Sequence, residues 1–165
     1  NDYCGILNKG DLMQKKVIKL ILVILCMITI FMFSSDKDYE SSKKSNSIIT
    51  GIADVFSKKK LSDSEKDKYI NKYVFIVRKT AHFTIYLILG LLVISLLKEY
   101  MIISWKSVFF SLLIVFLYAC SDEFHQLFVS GRSCEFRDVL IDSTGGFVGS
   151  CIYYLFYSLR RRKHE

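Results

Sequence analysis

Four long apolar runs, at about residues 17–33, 75–97, 101–120 and 139–159, divide this 165-residue chain and restrict what it can fold into. About 20 apolar residues make the length of helix that crosses a hydrocarbon core of about 30 Å. The backbone finds no water there, so an element that satisfies its own polar groups is required, and a helix does so. Hydrophobic residues make up 52% of the chain and charged residues 24%, yet the charges cluster between the runs instead of alternating with apolar residues at helix or strand period. The expected fold is all-α. It is a polytopic membrane protein with four transmembrane helices and a short interfacial amphipathic helix.

The formal net charge is +7 and the pI is near 9.1, a balance that in a soluble chain suggests nucleic acid. Here the basic residues flank the apolar runs. Lys15, Lys16 and Lys19 stand at the first, Lys98 between the second and third with Lys106 near the start of the third, and Arg160-Arg161-Arg162-Lys163 after the fourth. Short basic flanks mark the cytoplasmic side and meet anionic headgroups. They predict both termini in the cytoplasm, contact with membrane lipid, and no nucleic-acid partner. The polar connection at 34–74 is also rich in Lys, but mixed with acids over a long loop, which weighs less in setting orientation.

The first run ends in Phe33-Ser34-Ser35 with no small-x-small cleavage site, which favours an uncleaved first helix over a signal peptide. Residues 1–12 lack periodicity, whereas Met13 opens a natural start, MQKKVIKLIL; residues 1–12 are therefore expected to be a mis-annotated or non-native leader, and 13–165 the membrane domain. Within the connection, Ile48, Ile49, Ile52, Val55 and Phe56 fall at helical spacing before Lys58-Lys59-Lys60, a pattern suited to a helix lying on the membrane surface. Cys26, Cys120 and Cys151 sit within or at the ends of apolar runs and read as free, hydrophobe-like cysteines. Cys4 and Cys134 complete the set, and no CxxC or Cys/His ligand spacing occurs.

The last two runs enclose the stretch YACSDEFHQLFVSGRSCEFRDVLIDSTGGFVG, residues 118–149. Each charge at a helix centre costs about 2.5–3.5 kcal/mol on insertion scales, so a membrane protein that keeps many together is expected to use them. Asp122 and Gln126 are four apart and Glu123 and Gln126 three apart, which lets these side chains share a helix face, with His125 beside them. Asp138 and Asp142 are four apart, and Gly145 and Gly149 continue their stripe; such a small-residue pattern brings helices close together in lipid. Asp142 would lie about 6 Å deeper than Asp138. On the second helix Arg78, His82 and Tyr86 stack on one face, four residues apart.

Arg132, in the bend, suits an ion pair with these acids or fork-like recognition of a phosphate or carboxylate. Glu123, His125 and His82 are candidate acid/base groups, and carboxylates with His can hold a metal. No hydrolase or metal motif is recognisable, so no cofactor, metal or catalytic residue is assigned.

Three blocks of this chain resemble the VanZ-like family of bacterial membrane proteins. They are Phe33-Ser34-Ser35, the run Val77-Arg78-Lys79-Thr80-Ala81-His82-Phe83-Thr84-Ile85-Tyr86, and the run from Ser121-Asp122-Glu123-Phe124-His125-Gln126 through Ser130-Gly131-Arg132 to Asp138, Asp142, Gly145 and Gly149. The resemblance spans nearly the whole chain after Met13. It implies a small multi-helix protein of the bacterial cytoplasmic membrane; the best-known member is associated with low-level resistance to the glycopeptide teicoplanin. The motif positions that carry over are Lys79, His82 and Tyr86, then Asp122, Glu123 and Gln126, then Arg132, Asp138 and Asp142. Ile85 departs from the pattern, since relatives often have an acid before the Tyr.

Three functional readings follow and stay open at this level. The first is an envelope protein that lowers glycopeptide or lipoglycopeptide access through an outward-facing polar site, with a lipid-linked cell-wall precursor or the glycopeptide as partner. The second is a hydrolase or transferase acting on a lipid-linked substrate. The third is a structural or transport-related bundle whose charges only pair.

Overall fold

The computed structural model describes residues 9–35, 46–51, 63–129 and 135–163. Over these the chain forms four long helices, α1 (Lys9–Ser34), α2 (Asp63–Leu97), α3 (Trp105–Gln126) and α4 (Phe136–Arg162). A short helical stretch covers 46–51, and there is no strand among the described residues. Each long helix contains a stretch of between 22 and 27 residues that is long and apolar enough to cross a membrane. Even the shortest reaches about 33 Å at 1.5 Å per residue, enough for the hydrocarbon core. The protein is an all-α, multi-pass membrane protein.

The helices run past the apolar runs that reveal them. α2 begins at Asp63, adding the polar turns DSEKDKYINK to a run that hydropathy places near residue 75. These residues form helix well enough but offer no apolar signal. α3 starts at Trp105, not near 101. Its preceding Ser104 donates its backbone N–H to Ser107 Oγ at 3.2 Å, a capping contact that fixes the start. At its other end α3 continues through Asp122, Glu123 and His125 to Gln126, so these polar residues are helical. In the 46–51 stretch Ile49 is buried and Ile48 exposed; Ile52, Val55, Phe56 and Lys58–Lys60 lie outside the described residues. α1 takes in residues 9–12, and residues 1–8 are also outside them.

α2 and α4 form the tightest pair, because glycines bring their backbones into contact. A Cβ on Gly149 would stand 2.1 Å from Leu87 O, one on Gly145 2.4 Å from Phe83 O, and one on Gly90 2.1 Å from Gly146 O. Small residues allow this close approach, which in lipid replaces the hydrophobic drive of a soluble core with packing. α3 closes against the pair where Ser111 Oγ and Ser150 Oγ meet at 2.8 Å, and Ser150 also donates to Gly146 O at 2.9 Å. α1 leans on the outside, joined to α3 by Tyr118 OH donating to Met27 O at 2.6 Å. Its outward side chains, including Leu25, Ile28 and Met32, are exposed and face lipid.

The two ends of the bundle differ in charge. At one end Lys19 donates to Glu99 and to Ser95 O, Lys16 lies over the Tyr100 ring and Lys98 over the Tyr157 ring. The Lys19 ammonium, hydrogen-bonded to Glu99, holds that carboxyl below its usual range. Trp105 rests against Tyr154 at the same end, 4.9 Å between ring centroids, as an interfacial aromatic pair. The other end gathers Ser34, the start of α4 and the last turn of α3, and here the acids collect.

Candidate functional site

The polar residues of α2, α3 and α4 meet because the last turn of α3 and the first turns of α4 converge on the middle of α2, where His82 lies. Asp122 lies one turn before the end of α3, about 6 Å in, and Asp142 about 9 Å in from the start of α4. Both are almost fully buried, at 2% and 1% exposure. Across the α2–α4 seam, His82 Nδ1 stands 3.7 Å from Asp142 Oδ2, too far for a hydrogen bond. Donor atoms of His82, Asp122 and Asp142 all lie within 4.8 Å of one another. The fully buried Tyr86 ring, one turn deeper on α2, lies in electrostatic reach of both carboxylates.

Around this centre each acid has a different set of partners. Asp122 Oδ2 accepts from Ser34 Oγ at 2.7 Å and from Gln126 Nε2 at 3.3 Å. Ser34 is itself fully buried, so the last residue of α1 reaches into the site. Glu123 Oε2 accepts the backbone N–H of Glu135 at 3.1 Å, just ahead of α4. A carboxylate there meets the positive end of that helix and anchors its entry. Asp138 forms an ion pair with Lys79, whose ammonium also lies over the Phe75 ring. Asp142 is the exception, because neither of its oxygens has a hydrogen-bond partner.

The other positions singled out from the sequence fall around the rim. His125 turns away from the cluster and stacks on Phe31 of α1, ring centroids 4.3 Å apart. Arg78 is half buried one helical turn before His82. Arg132 lies outside the described residues, as do Ser130, Gly131 and Cys134. Gly145 and Gly149 form the backbone contacts with α2 that bring Asp142 opposite His82. Ile85 packs half buried against the apolar cluster around Tyr86 and Leu89, so this chain has an aliphatic contact where relatives often have an acid. Cys26, Cys120 and Cys151 are free and half buried.

Ser34 is the residue that the reading of charged positions passed over. Its signal was the Phe33-Ser34-Ser35 motif at the end of the first apolar run, where a small polar residue closes a helix otherwise made of large aliphatic ones.

Chemically, the arrangement joins an imidazole, two buried carboxylates and a phenol in a dry setting. Two carboxylates this close cannot both stay ionised in low dielectric without a compensating proton or cation. The cluster is therefore suited to taking up a positive species, and His82, with its side chain 20% exposed, is its open edge.

No curated protein and no solved structure matches this chain. A family model described as VanZ/LLP1 matches residues 20–157, which takes in the second and third spans whole, most of the first and fourth, and every described residue of the cluster. The chain belongs to the VanZ/LLP1 family of membrane proteins.

Proposed function

We propose that this is a bacterial cytoplasmic-membrane protein that lowers susceptibility to teicoplanin-type glycopeptides through an outward-facing polar site formed by α2, α3 and α4. The observation that carries the reading is Asp142, buried opposite His82 with no hydrogen bond to either carboxylate oxygen. Asp138, by contrast, is held by the permanently charged Lys79 ammonium, whereas the group facing Asp142 is an imidazole that carries charge only when protonated. The cluster also lies at the end of the bundle away from Lys16, Lys19, Lys98 and Arg160–Arg162, and the preference of short basic flanks for the cytoplasm supports an outward-facing site. That is the side on which a cell-wall precursor and a glycopeptide meet.

Expression in a susceptible Gram-positive host, with teicoplanin and vancomycin inhibition measured against an empty vector, tests the reading. A rise in the teicoplanin concentration needed for inhibition is expected; no change with either drug counts against it. Asp122→Asn, Glu123→Gln and Arg132→Ala should lower the protection while leaving the protein level intact. Cys134 should react with a membrane-impermeant thiol reagent on whole cells, and reaction only after lysis would reverse the orientation.

A second reading is supported by the same pair of residues. A partly exposed imidazole set against a buried carboxylate suits acid–base work on a lipid-linked substrate. Mass spectrometry of lipid-linked precursors incubated with the purified protein separates the two, since binding alone leaves their masses unchanged.

A further inference from the structure

We infer that His82, Asp122 and Asp142 form a binding site for one divalent transition-metal cation, of the Zn2+ or Mn2+ class. The site stands on the geometry of this cluster and does not depend on any effect on antibiotic susceptibility. One nitrogen and two carboxylate oxygens converge from three helices, within 4.8 Å of one another. A metal with bonds of about 2.1 Å holds its donors roughly 3–4 Å apart, so a contraction of up to about 1–2 Å at the widest edge, within reach of side-chain rotation, seats the ion. The 3.7 Å between His82 Nδ1 and Asp142 Oδ2 already falls in that range.

The unmet oxygens of the two carboxylates point to the same ligand. The Tyr86 hydroxyl is fully buried beside both carboxylates and is placed as a potential donor to Asp122. Asp122 Oδ1 and both Asp142 oxygens are buried without hydrogen bonds. Leaving these carboxylate oxygens unmet is costly, and one cation between them resolves the cost.

The surroundings fit a metal better than a shared proton. Ser34 and Gln126 hold Asp122 Oδ2 and so orient Oδ1, as groups behind a ligating carboxylate do. The Lys79 ammonium is engaged by Asp138 at the side and does not compete for the centre. An imidazole ligand favours a transition metal over Mg2+ or Ca2+, which prefer oxygen alone. Three protein donors leave coordination positions open on the side of His82, the edge through which an ion or a substrate oxygen would enter.

The test uses the full chain purified in detergent, stripped with a chelator and dialysed against Zn2+, Mn2+ or Mg2+. Elemental analysis should find about one Zn2+ or Mn2+ per chain, with Mg2+ held far more weakly. Asp142→Asn and Asp122→Asn should each weaken binding at least tenfold, while Glu99→Gln, at the other end of the bundle, binds as the wild type does. Wild-type protein that retains no more Zn2+ or Mn2+ than a buffer blank overturns the assignment, as do variants that bind undiminished. Should Asp142→Asn fail to fold, His82→Ala takes its place. Co2+ added to the wild-type protein gives a further readout: a strong visible absorption shows an ordered site of low coordination number, and the spectrum of aqueous Co2+ shows none.

Discussion

Replacing Gly149 by alanine probes the seam on which the site is built. The new Cβ would lie 2.1 Å from the carbonyl oxygen of Leu87, whereas ordinary van der Waals contact begins at 3.4 Å, so α2 and α4 must part by about 1.3 Å at that level. The opposing atom belongs to the backbone of a helix, and no side-chain rotation relieves the clash. Overpacking of this kind costs about 1–3 kcal/mol, with a rigid neighbour pushing toward the upper end. Alanine's better helix propensity returns up to about 1 kcal/mol, leaving a net loss of about 1–2 kcal/mol. Thermal unfolding of the purified protein in a single detergent reads the difference. Gly149→Ala should melt several degrees below the wild type. Gly51→Ala, whose Cβ meets nothing within 4 Å, should melt at or above it. A Gly149→Ala protein with the wild-type melting temperature would refute backbone contact as the source of the α2–α4 packing.

Three further outcomes follow from particular contacts. Ser34→Ala removes a 2.7 Å hydrogen bond to a buried carboxylate and should cost about 1.5–3 kcal/mol; in an Asp122→Asn background the loss should shrink, which a double-mutant cycle measures. Lys79→Ala strands Asp138 and should cost about 1–3 kcal/mol, between the surface and buried ranges for an ion pair, while Lys79→Ala with Asp138→Asn should lose less than the sum of the two. Glu99 has a folded-state pKa below its ordinary 4.5, chiefly through the hydrogen bond from Lys19, so its contribution to stability is complete above that value and fades as pH falls through the folded one. Melting curves from pH 7 downward should show Glu99→Gln less stable than the wild type at neutrality and the gap closing in acid; a constant gap would contradict the link.

The fold was legible because each of four segments is apolar over a length that only a bilayer accommodates. The helix ends were not, because the polar residues of α2's first turns and of α3's last turn carry no hydropathy signal. Spacing recovered part of the site. Asp122 with Gln126, and Asp138 with Asp142, share faces at four-residue separation, and the glycine stripe indicated which face of α4 turns inward. His125 shows where adjacency misleads. At about 100° per residue it points roughly 160° away from Glu123, and so meets Phe31 on α1. The pairing of His82 with Asp142, and of Ser34 with Asp122, depends on which helices become neighbours and at what height. The first comes from glycines of α4 resting on the backbone of α2 and the second from α1 lying beside the end of α3, and no local pattern records either.

The Asp142→Asn protein, expressed in a susceptible host at the wild-type level and with a wild-type melting temperature, gives the most direct test of a working polar site. The account predicts teicoplanin inhibition at the concentration seen with an empty vector. Protection equal to that of the wild-type protein would contradict it.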